Sequence, residues 1–254
     1  MSNGSVIRQN VDNLSAQNLA SLRDGYGQMQ AIADNRSFNF LSGLHGIPSF
    51  YCQHHRPLFL PWHRAYLYTF EQNLRDRVAS ASIPWWDWTS DVSHQTGVPA
   101  AFSDAKDAAG TANPLLKSRI NVPTSNPPVV RDTQRFPGSP GDLPQQADVD
   151  DALARPDFLD FSAALENIHD AIHGWTGGMN GDMGMIPTAA FDPIFYSHHC
   201  MIDRIWYLWQ IRNGQNNLPS SLLGRSLVPF GMRTADVLDI TQLGYDYAVS
   251  QVTG

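Results

Sequence analysis

The chain has 254 residues, 42% of them apolar, and a formal net charge of −7 that arises from both signs without a basic cluster. This length can bury a full core as one domain or as two small ones, and the charge argues against a nucleic-acid surface. The first residues contain no signal-like apolar run, and no stretch approaches membrane-spanning length, so we expect a cytoplasmic protein or the mature form of a secreted one. The two cysteines, Cys52 and Cys200, lie beside histidines rather than in a disulfide framework, which leaves the redox compartment open.

The first elements along the chain are predicted to be helices. Ser15 suits a helix N-cap, and apolar residues recur at helical spacing after it as far as Met29, which is typical of a helix that packs on the core. A short apolar helix is predicted over 38–48, where Gly followed by Pro is a stop signal. A third helix is predicted to begin at Pro61 and to run to about Val78.

Three histidines of this region, His45, His54 and His63, are each nine residues apart. His63 falls on the apolar stripe of the third helix, so its ring should point inward. Two helices joined by a loop can bring the three imidazoles together, because His45 ends one helix and His54 lies in the loop. A single inward histidine is more often a hydrogen-bonded core residue, but three in one segment favour a metal site.

The next segments differ sharply in composition. The run Trp85-Trp86-Asp87-Trp88 is predicted to pack on the core. From about 90 to 148, Pro, Gly, Ser, Asn and Asp dominate and periodicity disappears, so we expect an irregular loop insertion that wraps the surface and borders a site. The apolar side chains expected to dock this insertion are Phe102, Leu115, Leu116, Val129, Val130 and Phe136.

A further helix is predicted from Phe158 to Gly174. His169 and His173 stand four residues apart on it, which places both rings on the same side as a two-pronged metal clamp. Glu166 lies one turn earlier, close enough to that face to line the same site.

The last helix is predicted within Phe191–Trp209, with an acidic cap and a proline in its first turn. At 100° per residue, His199 and Asp203 fall on the apolar stripe of this helix, whereas His198 lies about a hundred degrees away from it. A histidine in an apolar helix face needs a partner for its ring nitrogens, so His199 is a candidate metal ligand.

The candidate ligands therefore form two sets of three histidines from four helical segments and a loop. This arrangement predicts a binuclear site in a bundle core, with metals roughly 3.5–4 Å apart. All-imidazole ligation suits copper, zinc, iron or nickel, and three neutral imidazoles per metal leave a position for an exogenous ligand. Redox-inert zinc hydrolases usually include carboxylate ligands, and we find no matching carboxylate on the ligand stripes apart from Glu166 and Asp203.

At these residues the sequence resembles the type-3 copper family of tyrosinases, catechol oxidases and molluscan hemocyanins. The first motif is His54, four residues, then Phe59-Leu60-Pro61-Trp62-His63-Arg64, followed by Leu67 and Glu71. The second is Asp192-Pro193-Ile194-Phe195-Tyr196-Ser197-His198-His199, followed by Asp203-Arg204. The resemblance implies a mainly α fold in which a four-helix bundle holds a dicopper site, here as one catalytic domain over 1–254.

The resemblance also implies roles for individual residues. Two copper ions would be bound, copper A by His45, His54 and His63, and copper B by His169, His173 and His199. Cys52 and His54 would be joined by a thioether, as in fungal tyrosinases and hemocyanins. His198 and Asp203 would then support the ligands from behind.

Four further positions match those that control activity in the family. Glu166 matches a glutamate that holds a water near copper and helps to deprotonate a monophenol. Asp170 stands where many active tyrosinases have Asn, and an ionised Asp accepts hydrogen bonds but cannot donate them. Gly174 would leave one wall of the pocket open, and Ile186 matches the gate position that carries Phe in plant catechol oxidases.

The expected function is that of a copper-dependent phenol oxidase that uses O2 to convert o-diphenols to o-quinones and to hydroxylate monophenols, as a tyrosinase does. Its expected partners are small phenols and O2, with a copper-delivery protein as a further candidate. The alternatives are a catechol oxidase or o-aminophenol oxidase without monophenolase activity, a hemocyanin-like oxygen carrier, and a zinc or iron enzyme. The chain also resembles the family in its closing Tyr245 and Tyr247 motif, against which Arg8 would pack, and we expect no C-terminal lid domain.

Overall fold

The computed structural model describes residues 6–248, and about half of them are helical, which confirms the mainly α fold. The helices are α1 (Ala16–Ala31), α2 (Phe38–Gly43), α3 (Phe59–Arg77), α4 (Asp91–Thr96), α5 (Ala100–Ser103), α6 (Gln146–Leu153), α7 (Phe158–Gly177), α8 (Ile194–Asn213) and α9 (Ser220–Leu223). The short strands pair in twos: β1 (Val6–Arg8) with β6 (Tyr245–Tyr247), β2 (Arg119–Val122) with β3 (Val129–Asp132), and β4 (Ser226–Leu227) with β5 (Met232–Arg233).

The four long helices, α1, α3, α7 and α8, pack together around the core. The predicted cap of α1 is present, because Ser15 accepts a hydrogen bond from the Asn18 N–H at 3.1 Å. Helix α3 begins at Phe59, two residues before the predicted start at Pro61. Proline is tolerated there because the N–H groups of a first helical turn have no partner within the helix. Within residues 6–248, no helix is long and apolar enough to span a membrane.

Helices α7 and α8 carry the second set of histidines. Asp157 caps α7, and the helix continues one turn beyond the predicted end, to Gly177, before Gly178 leaves it with a φ of 59°. At the start of α8, the carboxylate of Asp192 accepts the Ile194 N–H at 3.2 Å, as the cap prediction requires. Almost every side chain of α8 as far as Trp206 is buried.

The chain ends of the described region meet in the parallel pair β1–β6. Arg8 of β1 is fully buried, bonds Glu71 of α3 at 2.8 Å and stacks its guanidinium 3.6 Å from the ring centroid of Tyr245. It also donates to the Tyr247 hydroxyl at 3.1 Å. Arg8 therefore packs against the tyrosine pair as the sequence predicted, and this contact ties β6 to the bundle.

The segment from 90 to 148 contains more regular structure than the irregular loop that its composition predicts. It includes α4, α5, the start of α6 and an antiparallel hairpin of β2 and β3. Phe102 and Leu115 are fully buried, as expected, but Val130 and Phe136 are 45% and 52% exposed, so docking of those two was wrong. Strands of a two-stranded hairpin alternate their side chains between a packed and a solvated face, which composition alone does not reveal.

Two guanidinium groups fasten this segment to the loops that precede α8. Arg131 forms a two-pronged ion pair with buried Asp182, with N–O distances of 2.8 and 2.7 Å. Arg135 pairs with buried Asp192 and donates to the carbonyl oxygen of Phe102 at 2.6 Å. Bidentate pairs of this kind fix geometry as well as charge, so the segment is held against the side of the bundle that carries the histidines.

Candidate metal centre

The first triad of histidines comes together where α2, the following loop and α3 meet. The ring centroids of His45 and His54 lie 5.0 Å apart, those of His54 and His63 5.2 Å, and those of His45 and His63 5.7 Å. Each Nε2 atom is buried and lacks a hydrogen-bond partner among the described residues. One buried, unpartnered ring nitrogen costs on the order of 1–3 kcal/mol, so three in one place indicate that a metal ion completes the site.

The second triad lies on α7 and α8. The Nε2 atom of His199 is 3.2 Å from Nε2 of both His169 and His173, so three ring nitrogens converge on one point. The rings of His63 and His199 stack with centroids 4.5 Å apart. The two triads therefore face each other across the bundle, as a binuclear centre requires.

Four of the six imidazoles are oriented through Nδ1. Carbonyl and carboxylate oxygens only accept, so Nδ1 carries the hydrogen in each of these bonds and Nε2 presents its lone pair to the site. The pairs are His45 to the Ile186 carbonyl (3.2 Å), His63 to the Phe59 carbonyl (2.8 Å), His173 to the Met183 carbonyl (2.7 Å) and His169 to an Asp170 carboxylate oxygen (2.9 Å).

Burial keeps these imidazoles uncharged. It lowers the pKa of His54 to about 3 and that of His173 to about 4, and it depresses the pKa of the other four well below 6.5. A metal binds neutral imidazole, so the ligand form is the one present at neutral pH. The protonation state, the ring orientation and the unpartnered nitrogens all fit a metal that prefers imidazole, such as copper.

His198 is as fully buried as His199, although the helical wheel places it off the apolar stripe. Its ring stacks on His169 with centroids 5.2 Å apart and meets the edge of His173 at 4.9 Å. The helical-wheel prediction understated the burial of His198 because α8 is enclosed on all sides as far as Trp206. Ligand atoms of these three histidines and of His199 lie within 4.8 Å of one another, so His198 contacts the second triad directly.

Asp203 lies one helical turn beyond His199 but does not support a ligand ring. Its buried carboxylate accepts hydrogen bonds from Arg64, Tyr245 and Tyr247 instead. These bonds and the neighbouring guanidinium groups lower the pKa of Asp203 despite its burial. Asp203 therefore belongs to a buried network of hydrogen bonds and ion pairs, and it does not support a ligand histidine as predicted.

Two carboxyl groups of α7 lie beside the triads. One oxygen of Glu166 accepts the backbone N–H of His55 at 2.6 Å, and burial raises the pKa of this carboxyl from 4.5 to about 7. Asp170 is partly exposed: one of its oxygens accepts from His169, and the other lies 3.6 Å from Nε2 of His55. Burial also raises the pKa of Asp170, so both carboxyl groups, one turn apart on α7, hold their protons more tightly than a solvated acid does.

A cavity of about 220 Å³ reaches from the surface to the histidines of both triads. Gly174 and Ile186 both line it. A Cβ atom added at Gly174 would meet nothing within 4 Å, and Ile186 is 41% exposed rather than packed in the core. The route to the metal site is therefore open on this side.

Both cysteines are free thiols in buried positions. Sγ of Cys52 lies 3.7 Å from Nδ1 of His54, and burial raises the pKa of this thiol to about 11. Cys200 lies on the far side of α8, 3.6 Å from the carbonyl oxygen of Ile83. Only Cys52 is thus placed where it could react with a ligand histidine.

His55 is a cavity-lining residue that sequence reasoning missed. It lines the cavity, its side chain is 69% exposed, and its backbone holds Glu166. Its φ of 54° is in the left-handed region, which a residue other than glycine adopts at a cost. No local sequence pattern predicts this backbone conformation of His55. The hydrogen bond from His63 to the carbonyl of Phe59, four residues earlier on the same helix, could by contrast have been expected from helical spacing.

Two facing sets of imidazoles in a helical bundle, reached by an open cavity, define a binuclear metal protein of the type-3 copper kind. Residues 35–212 match the common central domain of tyrosinase. The chain therefore belongs to the tyrosinase family of type-3 copper proteins, and its two histidine clusters are those of a dicopper centre.

Relatives and solved structures agree with this assignment. The chain is 30% identical over 282 residues to the A-type hemocyanin, units Ode to Odg, of Enteroctopus dofleini, covering 96% of this chain and 22% of that protein. It is 32% identical to the hemocyanin units G and H of Sepia officinalis, covering 84% of this chain and 39% of that protein. The chain thus spans well under half the length of these relatives.

The fold matches two solved structures. A functional unit of octopus hemocyanin superimposes with a TM-score of 0.83 at 29% identity, covering 96% of this chain and 68% of that one. The tyrosinase of Burkholderia thailandensis at high pH superimposes with a TM-score of 0.81 at 24% identity, covering 96% and 74%. Because its sequence identity is only 24%, the match to this tyrosinase supports the fold alone.

Proposed function

We propose that this chain is a phenol oxidase that uses copper and O2 to convert o-diphenols to o-quinones. The observation that carries the proposal is the open cavity of about 220 Å³ that ends at the histidines of both triads. Its volume is below the roughly 300–1,000 Å³ of pockets for drug-sized ligands, which suits a substrate with one aromatic ring. Gly174 leaves the approach for that ring free of side-chain atoms.

We assign copper A to His45, His54 and His63, and copper B to the triad of α7 and α8. The metal pair, when bound, supplies the electron transfer between phenol and O2. The chain supplies neutral imidazoles whose rings are already aimed by their Nδ1 bonds. Because the imidazole rings already have this orientation, they need not rotate when the metal binds.

The thioether between Cys52 and His54 remains part of the proposal. The contact of 3.7 Å between Sγ and the ring supports it, because the two groups need little movement to bond. The crosslink joins Sγ to a carbon of the His54 ring, and the thiol hydrogen and one ring hydrogen are lost as O2 is reduced to hydrogen peroxide. The peptide that contains both residues should then be lighter by two hydrogen atoms, which mass spectrometry of the copper-loaded protein measures. A peptide of unchanged mass would remove the crosslink from the account.

Glu166 is proposed to accept the proton that a phenol loses on entering the site. A general base works best when its pKa is near the operating pH, and the pKa of about 7 satisfies this condition. The His55 N–H holds one carboxylate oxygen, which leaves the other for a water or for the substrate hydroxyl. Asp170 is proposed to restrain hydroxylation of monophenols, because its oxygens cannot donate a hydrogen bond to such a water.

Ile186 is proposed as the gate on the copper A side. Its carbonyl oxygen orients His45 while its side chain faces the cavity, so a change at this position affects both access and a ligand ring. Because isoleucine is smaller than phenylalanine, it leaves room for a substrate ring beside the metal site.

A second candidate function is reversible oxygen carriage, since five relatives with 30–32% identity are hemocyanins. The two functions differ in what reaches the metal. A carrier needs access for O2 alone, whereas an oxidase must also admit an aromatic ring. The open space beside Gly174, where an added Cβ would meet nothing within 4 Å, favours the oxidase.

Oxygen consumption by the copper-loaded protein with 4-methylcatechol tests the proposal. We expect consumption coupled to quinone absorbance, and none from the same protein loaded with zinc. Reversible oxygenation without catechol-dependent consumption would overturn the oxidase in favour of the carrier. A copper content well below two per chain after reconstitution would instead contradict the dicopper assignment.

Rates with tyramine, with the matching catechol dopamine and with an o-aminophenol then separate the three kinds of oxidase. Turnover of all three substrate types would support tyrosinase activity. Turnover without tyramine hydroxylation would identify a catechol oxidase or an o-aminophenol oxidase, according to the preferred ring.

A further inference from the structure

The mouth of the cavity has one polar wall, formed by His55 from the loop before α3 and Asp170 from α7. Nε2 of His55 lies 3.6 Å from one carboxylate oxygen of Asp170, whose other oxygen is engaged by His169. Gly174, one turn after Asp170 on α7, and Ile186 also line the cavity. A ring that enters therefore meets this polar pair as well as open or apolar lining.

The acidic group of this cavity is the carboxyl of Asp170. Among the described residues that line the cavity, Asp170 is the only acidic one, and the others are histidines, glycines and apolar residues. Its side chain is 43% exposed, so it faces solvent and an incoming substrate rather than the core.

The backbone of His55 fixes the position of its imidazole. Its φ of 54° and the bond of its N–H to Glu166 hold the residue against α7. The same turn therefore sets the proposed base and one side of the entrance. A strained non-glycine residue at such a position often has a functional role.

We propose that Asp170 selects phenols with a cationic tail over those with an anionic one, and that His55 is a specificity-determining residue that weakens this selection by covering one Asp170 oxygen. The substrate ammonium binds the Asp170 oxygen that faces His55, and the imidazole limits how much of that oxygen is free. This inference deepens the proposed function, on which it rests for the identity of the ligand as a phenol.

Equilibrium binding to the copper-loaded protein without oxygen tests the inference independently of turnover. The probes are tyramine, p-cresol and 4-hydroxyphenylpropionate, which differ in the charge of the tail. An exposed charge pair of this kind contributes about threefold in affinity, so we expect the Kd to rise about threefold at each step of that series. Because no substrate is oxidised, the result stands whether the protein is an oxidase or a carrier.

Three variants separate the residues. Asp170→Asn should bring the three Kd values to within about twofold of one another. His55→Gly keeps the left-handed backbone and the bond to Glu166 but removes the imidazole, so the preference for tyramine over p-cresol should increase. Asp151→Asn removes an exposed charge on α6 and should leave every ratio unchanged.

His55→Asn provides a second test, because Asn tolerates the left-handed region and is shorter than histidine. It should give a preference between those of the wild type and the glycine variant. Equal affinity for the three probes in the wild-type protein would overturn the inference, as would a His55→Gly variant with wild-type ratios. Both results would leave the proposed oxidase activity to be judged by oxygen consumption.

Discussion

The carboxyl of Glu166 allows a quantitative prediction, because its burial has a measurable cost. Glu166→Gln removes the ionisable group, while the amide oxygen can still accept the His55 N–H. Burial raises the pKa from 4.5 to about 7. At about 1.4 kcal/mol for each pH unit, this difference corresponds to about 3 kcal/mol between the two protonation states.

The sign of the change in stability with pH follows from the number of protons that the folded and unfolded states bind. The folded carboxyl holds its proton more tightly than the unfolded one, so the folded state binds more protons between pH 4.5 and about 7. The stability contributed by the protonated acid is fully present below about pH 4.5 and is lost as the pH rises through about 7. The free energy of unfolding of the wild type minus that of Glu166→Gln should therefore fall by about 3 kcal/mol over this range.

Urea unfolding of both copper-free proteins at several pH values measures this difference. The buried histidines titrate equally in the two proteins and cancel. In the loaded enzyme, kcat/KM for a monophenol should rise about tenfold per pH unit below 7 in the wild type, and the variant should lose this dependence. A stability difference that stays constant from pH 4 to pH 8 would show that Glu166 does not titrate near 7, and it would remove this residue as the proton acceptor.

Three further predictions concern the metal site and its entrance. His63→Ala should lower the copper content from two ions toward one per chain, measured by atomic absorption, and an unchanged content would contradict its assignment to copper A. Asp170→Asn should raise the monophenol-to-diphenol rate ratio, while Asp151→Asn, the matched change on α6, should not; equal ratios in both variants would exclude a role for Asp170. Gly174→Phe should lower kcat/KM for 4-methylcatechol by at least about tenfold with copper content retained, because the ring would fill the entrance. Full activity in that variant would mean that substrate enters elsewhere.

The helices that carry the histidines were predictable because their apolar residues repeat with the helical period. His169 and His173 follow from spacing alone, and the capping residues Ser15 and Asp192 follow from local chemistry. Helix ends were less certain: Pro61 is a strong start signal, yet it lies in the first turn and not at the first position.

The residues around the histidines were harder to predict, because contacts between segments that are distant in sequence determine their positions. The left-handed turn at His55 exists where its N–H meets Glu166, which is 111 residues away in sequence. The network around Asp203 recruits residues from both ends of the described region, so its helical position beside His199 was misleading. Val130 was predicted to dock because hydrophobicity alone does not tell which face of a hairpin is covered, and no local signal marks Phe136, four residues beyond β3, as exposed.

The two guanidinium clamps on the 90–148 segment have a practical consequence for protein engineering. Arg131 and Arg135 anchor that segment through Asp182 and Asp192, which lie on the route to Met183 and the start of α8. Exchanging the hairpin turn between β2 and β3 while leaving both anchors intact should alter the surface of this segment without disturbing any imidazole, because no described residue of the segment lines the cavity. The hairpin turn is therefore a suitable place to graft new recognition loops onto this scaffold.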